Sequence, residues 1–191
     1  MRLFVALELP GEVRAAMADL ITELKPLCRP ASWSRPEGMH VTLKFLGQTI
    51  ADSDAEKLAA ARAQLAEVKC GAPVEMRYRG VGFFPSARRP QVFWCGIQAS
   101  ANLARLAADI ERALEPLGIP RESRTFVPHL TLARFKTSEG VKALAGEAEK
   151  LAGREFGSAR ETEFHLFESK LKPGGAVHQK IASFMFLRSA A

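Results

Sequence analysis

The sequence predicts one two-lobed domain of mixed helices and strands, built from a single order of elements used twice. The first observation is a repeated short pattern: His40-Val41-Thr42-Leu43 and His129-Leu130-Thr131-Leu132 both read His, apolar, Thr, apolar. The second is a common spacing. A shift of 89 residues carries His40 onto His129, the apolar run at Val5 onto that at Trp94, and the helical spacing at Met17 onto that at Leu106. Strand, helix, histidine strand, helix, strand therefore occurs twice, as an internal duplication would give. The third is that Phe84 to Pro90 is a loop of ordinary length, so approximate halves 1–86 and 87–191 belong to one domain covering 1–191. Pseudo-twofold lobes would bring equivalent strands together across a cleft.

Taken in order, Leu3 to Leu9 reads as a strand stopped by Pro10-Gly11. Val13, Met17, Leu20, Ile21, Leu24 and Leu27 recur at helical spacing, giving a helix of about four turns. A loop from Pro30 to Pro36 leads to the first histidine strand, Met39 to Leu46. Ser53-Asp54-Ala55-Glu56 has the form of a capping box and opens an Ala-rich helix through Leu58, Leu65 and Val68. Val74 to Phe84 is a longer strand with glycine interruptions. In the second copy, Gln91 to Ile97 is a strand, and Leu103, Leu106, Ile110, Leu114 and Leu117 mark a helix that Pro116 helps to end. The second histidine strand runs from Phe126 to Phe135. A helix near Glu139 to Leu151 precedes strands near Phe156 to Phe167 and Ile181 to Leu187.

The chain has 191 residues, 47% of them hydrophobic, enough for a core. Its net charge of +6 favours a polyanionic partner, but no Lys/Arg run forms a nucleic-acid arm. Cys28, Cys70 and Cys95 are odd in number and lack CxxC spacing, so reduced thiols in a cytoplasmic protein are expected. The first apolar run ends at Glu8, too short for a signal core or a membrane span.

Residues two apart on a strand share a face. Each motif therefore sets an imidazole beside a hydroxyl, with Val41, Leu43, Leu130 and Leu132 turned to the core. Two such strands facing one cleft hold two histidines and two threonines around a small anion. One imidazole can take a proton while the other gives one. Thr42 and Thr131 can donate to the non-bridging oxygens of a phosphodiester, where charge develops. No His/Cys/Asp/Glu spacing suggests a metal site, so the expected route needs no metal and no cofactor. Lys44 has the parity of the histidine face. Phe45 and Arg134 have the opposite parity unless their strands bulge. Trp33 suits either a base or the core, and His165 and His178, outside the repeat, are expected to be structural or exposed.

Met39-His40-Val41-Thr42-Leu43-Lys44-Phe45-Leu46-Gly47 and Pro128-His129-Leu130-Thr131-Leu132-Ala133-Arg134 resemble the paired motifs of the two-histidine phosphoesterase superfamily. The Arg2-Leu3-Phe4-Val5-Ala6 opening, Phe84-Pro85, Val92-Phe93-Trp94, and the ending from Leu166-Phe167-Glu168-Ser169 to Phe186-Leu187 are most similar to bacterial and archaeal RNA 2′,3′-cyclic phosphodiesterases, historically called 2′-5′ RNA ligases. The resemblance implies an α+β fold: a bilobal, pseudo-twofold duplicated domain with antiparallel sheets lining a central cleft and helices outside. It implies hydrolysis of RNA 2′,3′-cyclic phosphate ends to a 2′-phosphomonoester, with His40 as proton donor and His129 as proton acceptor. Thr42 and Thr131 would hold the phosphate, Arg134 would bind it, and Phe45 would stack on the terminal base. Expected partners are RNA ends or nucleotides carrying a 2′,3′-cyclic phosphate, with no membrane, no protein partner and a monomeric chain. The family's tail leads one to expect a tyrosine after the Gly-Gly turn, where this chain reads Gly174-Gly175-Ala176-Val177-His178. Alternative activities are 2′-5′ ligation by the reverse reaction, hydrolysis of a small cyclic nucleotide, and RNA-end binding without catalysis.

Overall fold

A computed structural model describes residues 2–51, 53–172 and 175–186. Among the described residues nine strands form two antiparallel sheets. The first sheet contains β1 (Leu3–Leu7), β3 (Val41–Gly47), β8 (Glu163–Lys172) and β9 (Gly175–Met185), in the order β3-β1-β8-β9. The second contains β2 (Ser32–Trp33), β4 (Val74–Phe84), β5 (Val92–Ala99), β6 (His129–Arg134) and β7 (Glu155–Glu161), in the order β2-β6-β5-β4-β7. The helices that join them are α1 (Gly11–Leu24), α2 (Ala55–Ala66), α3 (Asn102–Leu114) and α4 (Val141–Lys150). The α+β class and the antiparallel sheets match the expectation.

Without the short β2, the two sheets have the same layout: histidine strand, first strand of the copy, then two more strands. The lobes do not, however, follow halves 1–86 and 87–191. The second sheet's main strands come from the continuous stretch 74–161, whereas the first joins the N-terminal strands to 163–185. The apolar run Phe156 to Phe167 is accordingly not one strand. It divides at Thr162 into β7 and β8, which lie in different sheets, and the Thr162 carbonyl accepts from the Phe186 N–H at 2.8 Å. The last strand starts earlier than predicted, at Gly175, and Leu187 lies outside the described residues.

The helices lock the lobes together. α1, which opens the first copy, packs against β7, where Val13 stands over Gly157. α3, which opens the second, packs on β3. Their predicted apolar faces are the buried ones: Val13, Met17, Leu20, Ile21 and Leu24 in α1, and Leu103, Leu106, Ile110 and Leu114 in α3. Both helices stop earlier than their periodicity, at Leu24 and Leu114, and tighten into a 3₁₀ turn containing Pro26 or Pro116. Proline cannot donate the next helical hydrogen bond. The cap of α2 falls one residue later than the Ser53 pattern predicts, since the Asp54 carboxylate accepts from the Lys57 N–H at 2.9 Å. One hydrophobic core runs from Leu3 to Phe186 through both sheets. Among the described residues no helix is long and apolar enough to cross a membrane.

Candidate active site

The two histidine strands, β3 and β6, belong to different sheets and touch one another. Along each the alternation is as predicted: Val41, Leu43, Leu130 and Leu132 are buried, while Thr42, His129 and Thr131 are only partly so. His40 immediately precedes β3 and is also half-buried. Each imidazole is held the same way. His40 Nδ1 lies 2.8 Å from the Gly38 carbonyl, and His129 Nδ1 lies 2.7 Å from the Val127 carbonyl. A carbonyl only accepts, so Nδ1 carries the proton in both rings, and Nε2 is left as the exchanging atom. Among the described residues neither threonine hydroxyl is bonded to another protein group.

Both strands bulge at the same place. In the β1–β3 pair the register slips between Val5 and Ala6, which face Lys44 and Thr42, so Leu43 is the extra residue. In the β5–β6 pair it slips between Phe93 and Trp94, which face Ala133 and Thr131, so Leu132 is the extra residue. An extra residue resets the alternation. Leu43 and Lys44 are therefore both buried and Phe45 turns out, 59% exposed; Leu132 and Ala133 are both buried and Arg134 turns out. This resolves the parity conflict for Arg134 and Phe45. It overturns the parity reading of Lys44, which is 5% exposed and leaves the histidine face. Its ammonium instead meets Glu111 on α3 and the Pro120 carbonyl, each at 2.5 Å.

Phe4 stacks on His40 with ring centroids 4.4 Å apart, and Phe167 stacks against Phe4 at 5.2 Å and lies 6.4 Å from His40. On the second lobe the Phe84 ring stands perpendicular to His129 at 5.0 Å and lies 5.1 Å from Trp94. The glycine interruptions of β4 now have a reason. A Cβ at Gly82 would overlap the six-membered ring of Trp94, and one at Gly80, where φ is +67°, would come within 2.7 Å of the Ala152 carbonyl oxygen; on the neighbouring β5, one at Gly96 would come within 3.2 Å of the Trp94 ring. Trp33 is structural: its Nε1 donates to the Cys28 carbonyl at 3.0 Å, and its ring packs edge-on to Phe93. Of the two roles expected for it, structural or exposed, His165 takes the structural one: it is buried, with Nδ1 2.9 Å from Ser183 Oγ.

Burial lowers the proton affinity of both site histidines. His40 falls to about 4, chiefly by desolvation; the Gly38 carbonyl opposes the fall, while the positive charges of His178 and Arg134 add to it. His129 is also lowered by burial and by Arg134, against the pull of the Val127 carbonyl. The Arg134 charge thus acts in the same direction on an imidazole from each lobe.

Two contributors escaped the sequence reading. Arg14 on α1 donates to the Pro36 carbonyl at 2.8 Å and the Glu37 carbonyl at 3.0 Å, securing the turn whose Gly38 holds His40. Nothing local to Arg14 signals this. His178 on β9 lies against His40, with ring centroids 5.0 Å apart. The fold and site define a class: a two-lobed α+β protein in which each lobe carries a partly buried imidazole and hydroxyl two residues apart, on strands that touch.

The sequence profile of the 2′-5′ RNA ligase superfamily matches residues 10–171, and the chain belongs to that superfamily. Among similar proteins, an RNA 2′,3′-cyclic phosphodiesterase of Archaeoglobus fulgidus is 32% identical over 96% of this chain and 99% of its own. One from Thermus thermophilus is 34% identical over 96% of this chain and 89% of its own. A crystal structure of a Thermus thermophilus protein aligns with a TM-score of 0.76 at 32% identity, covering 97% of this chain and 98% of that one. Escherichia coli LigT complexed with 3′-AMP shares the fold, with a TM-score of 0.76 at 24% identity over 98% of each chain.

Proposed function

We propose that the protein hydrolyses RNA 2′,3′-cyclic phosphate ends to 2′-phosphomonoesters without a metal, by proton transfer between its two histidines. The observation that carries this is the matched pair of imidazoles, each with Nδ1 tied to a carbonyl two residues back and Nε2 free. The names of the relatives support the substrate. His129 Nε2 takes a proton from water as its oxygen attacks phosphorus. The bond from phosphorus to the ribose 3′ oxygen breaks, and His40 protonates that oxygen. Burial lowers the proton affinity of both rings, so His40 yields its proton readily once charged. Arg134 opposes that charging in the free site, whereas the anionic phosphate favours it.

Thr42 and Thr131 donate to the non-bridging oxygens, and Arg134 binds the phosphate with two donors. Phe45, exposed on β3 five residues after His40, stacks on the terminal base. The partner is then an RNA end or nucleotide with a cyclic phosphate. The chain acts as a monomer in the cytoplasm, where its three unpaired cysteines stay reduced.

The test is an RNA oligonucleotide ending in a 2′,3′-cyclic phosphate, incubated with the protein in EDTA and resolved by phosphate isomer. The expected product is the 2′-phosphate alone. A 3′-phosphate, or loss of turnover in EDTA, would refute the mechanism. A preference for a mononucleotide over the oligonucleotide would transfer the reading to a small cyclic nucleotide. Arg134→Ala is expected to lower kcat/KM by about 10²–10³-fold with little change in melting temperature, since the side chain is exposed. Arg134→Lys should recover only part, because an ammonium lacks the planar fork.

A further inference from the structure

His178 lies 138 residues from His40 in the sequence, outside both copies of the motif. It reaches the site because β9 pairs with β8, where His178 faces Ser169. Its ring stands perpendicular to His40 at 89° and to Phe4 at 83°, with both centroid distances 5.0 Å. It also lies against Gly38, where a Cβ would approach its Cδ2 to 3.5 Å and its Nε2 to 3.7 Å. Gly38 is the residue whose carbonyl holds His40 Nδ1. His178 therefore touches the catalytic ring, the ring stacked on it and the residue that orients it. Its Nδ1 is buried without a hydrogen-bond partner, an arrangement that core packing alone does not favour.

We infer that His178 is a positioning residue for His40, holding the plane of its imidazole and, as an ionisable neighbour, adjusting its readiness to take a proton. The inference rests on the proton-transfer role proposed for His40. Among the described residues, the groups that touch His40 or act on it by charge are few. Phe4 from β1 and Phe167 from β8 are apolar, Gly38 contributes a carbonyl, Arg134 from β6 is a permanent cation, and His178 comes from β9. Of these only His178 changes charge in the range where imidazoles titrate. Protonated, it opposes a proton on His40; neutral, it leaves that opposition to Arg134 and burial. Burial lowers the proton affinity of His178 itself, so the neutral form is favoured near neutral pH.

The test uses the full chain with His178→Phe and His178→Gln. Phenylalanine keeps a ring and removes the charge; glutamine keeps polarity and removes the ring. The His40 imidazole is titrated by NMR in each, and kcat and KM are followed against pH on the cyclic-phosphate oligonucleotide. His178→Phe is expected to raise the pH at which His40 titrates and to move the basic limb of kcat/KM upward, with KM little changed. His178→Gln is expected to lower kcat about tenfold through loss of ring orientation. If His40 titrates at the same pH in wild type and both folded variants, with kcat unchanged, the inference is overturned. Failure of wild type to hydrolyse the oligonucleotide would count against the proposed activity instead, and the NMR titration would still read the coupling. Should His178→Phe fail to fold, the titration and kcat of His178→Gln decide.

Discussion

Replacing His40 or His129 with alanine is expected to lower turnover of a cyclic-phosphate end by about 10²–10⁴-fold each. The double variant should fall by less than the product of the two losses, because the proton donor and acceptor act in one step. Circular dichroism should show a native fold in both, since each ring is only half-buried. A variant that keeps wild-type turnover would remove its histidine from the mechanism. The pH profile carries a second signature. In the free protein both imidazoles hold protons less tightly than usual, His40 titrating at about 4 and His129 below its ordinary value. The proton donor must be charged, so kcat/KM is expected to decline as pH rises above the titration of the free donor, and its optimum should be acidic. A bound phosphate adds negative charge that stabilises an imidazolium. The kcat profile should therefore lie at higher pH than that of kcat/KM. The two limbs belong to the coupled pair rather than to either ring.

Glu111→Ala is expected to be strongly destabilising although the residue lies away from the site. It would leave the Lys44 ammonium buried against the Pro120 carbonyl alone. Stranding one partner of a buried ion pair costs about 3 kcal/mol at the lower end, which applies here because the Glu111 side chain keeps 16% exposure. For a chain of this size that lowers the melting temperature by roughly 6–12 °C. Lys44→Met should cost less, because the carboxylate left behind can reach water. Combining Lys44→Met with Glu111→Leu should recover most of the loss. Thermal and urea unfolding of the three variants check this, and an unchanged midpoint for Glu111→Ala would sink it. The pair has a functional side. It ties β3 to α3, and Glu111 also accepts from the Glu122 N–H at 3.2 Å in the segment leading to β6. Its loss should therefore also loosen the spacing between the two histidine strands.

The twin motifs, their strands and the buried faces of α1 and α3 were legible because they depend on local periodicity. A side chain's face on a regular strand or helix follows from its position along that element. The same logic misplaced Lys44 and turned Arg134 away from the histidines. The bulges at Leu43 and Leu132 arise from pairing with β1 and β5, and nothing in the alternation of either strand announces them. The division of the 156–167 run between two sheets escaped for a related reason: apolar alternation does not say which partner a strand will join. His178 was set aside because sequence proximity and repeat position give no view of a contact made through β9.

The amino-acid sequence by itself determined the family, the duplicated order of elements and the two histidines with their threonines, because those signals lie within single elements. The tertiary structure alone decided that a bulge turns Arg134 outward, that Lys44 is a buried tie between lobes and that His178 stands against His40. Those placements depend on register, bulges and the pairing of distant strands, which packing between elements settles.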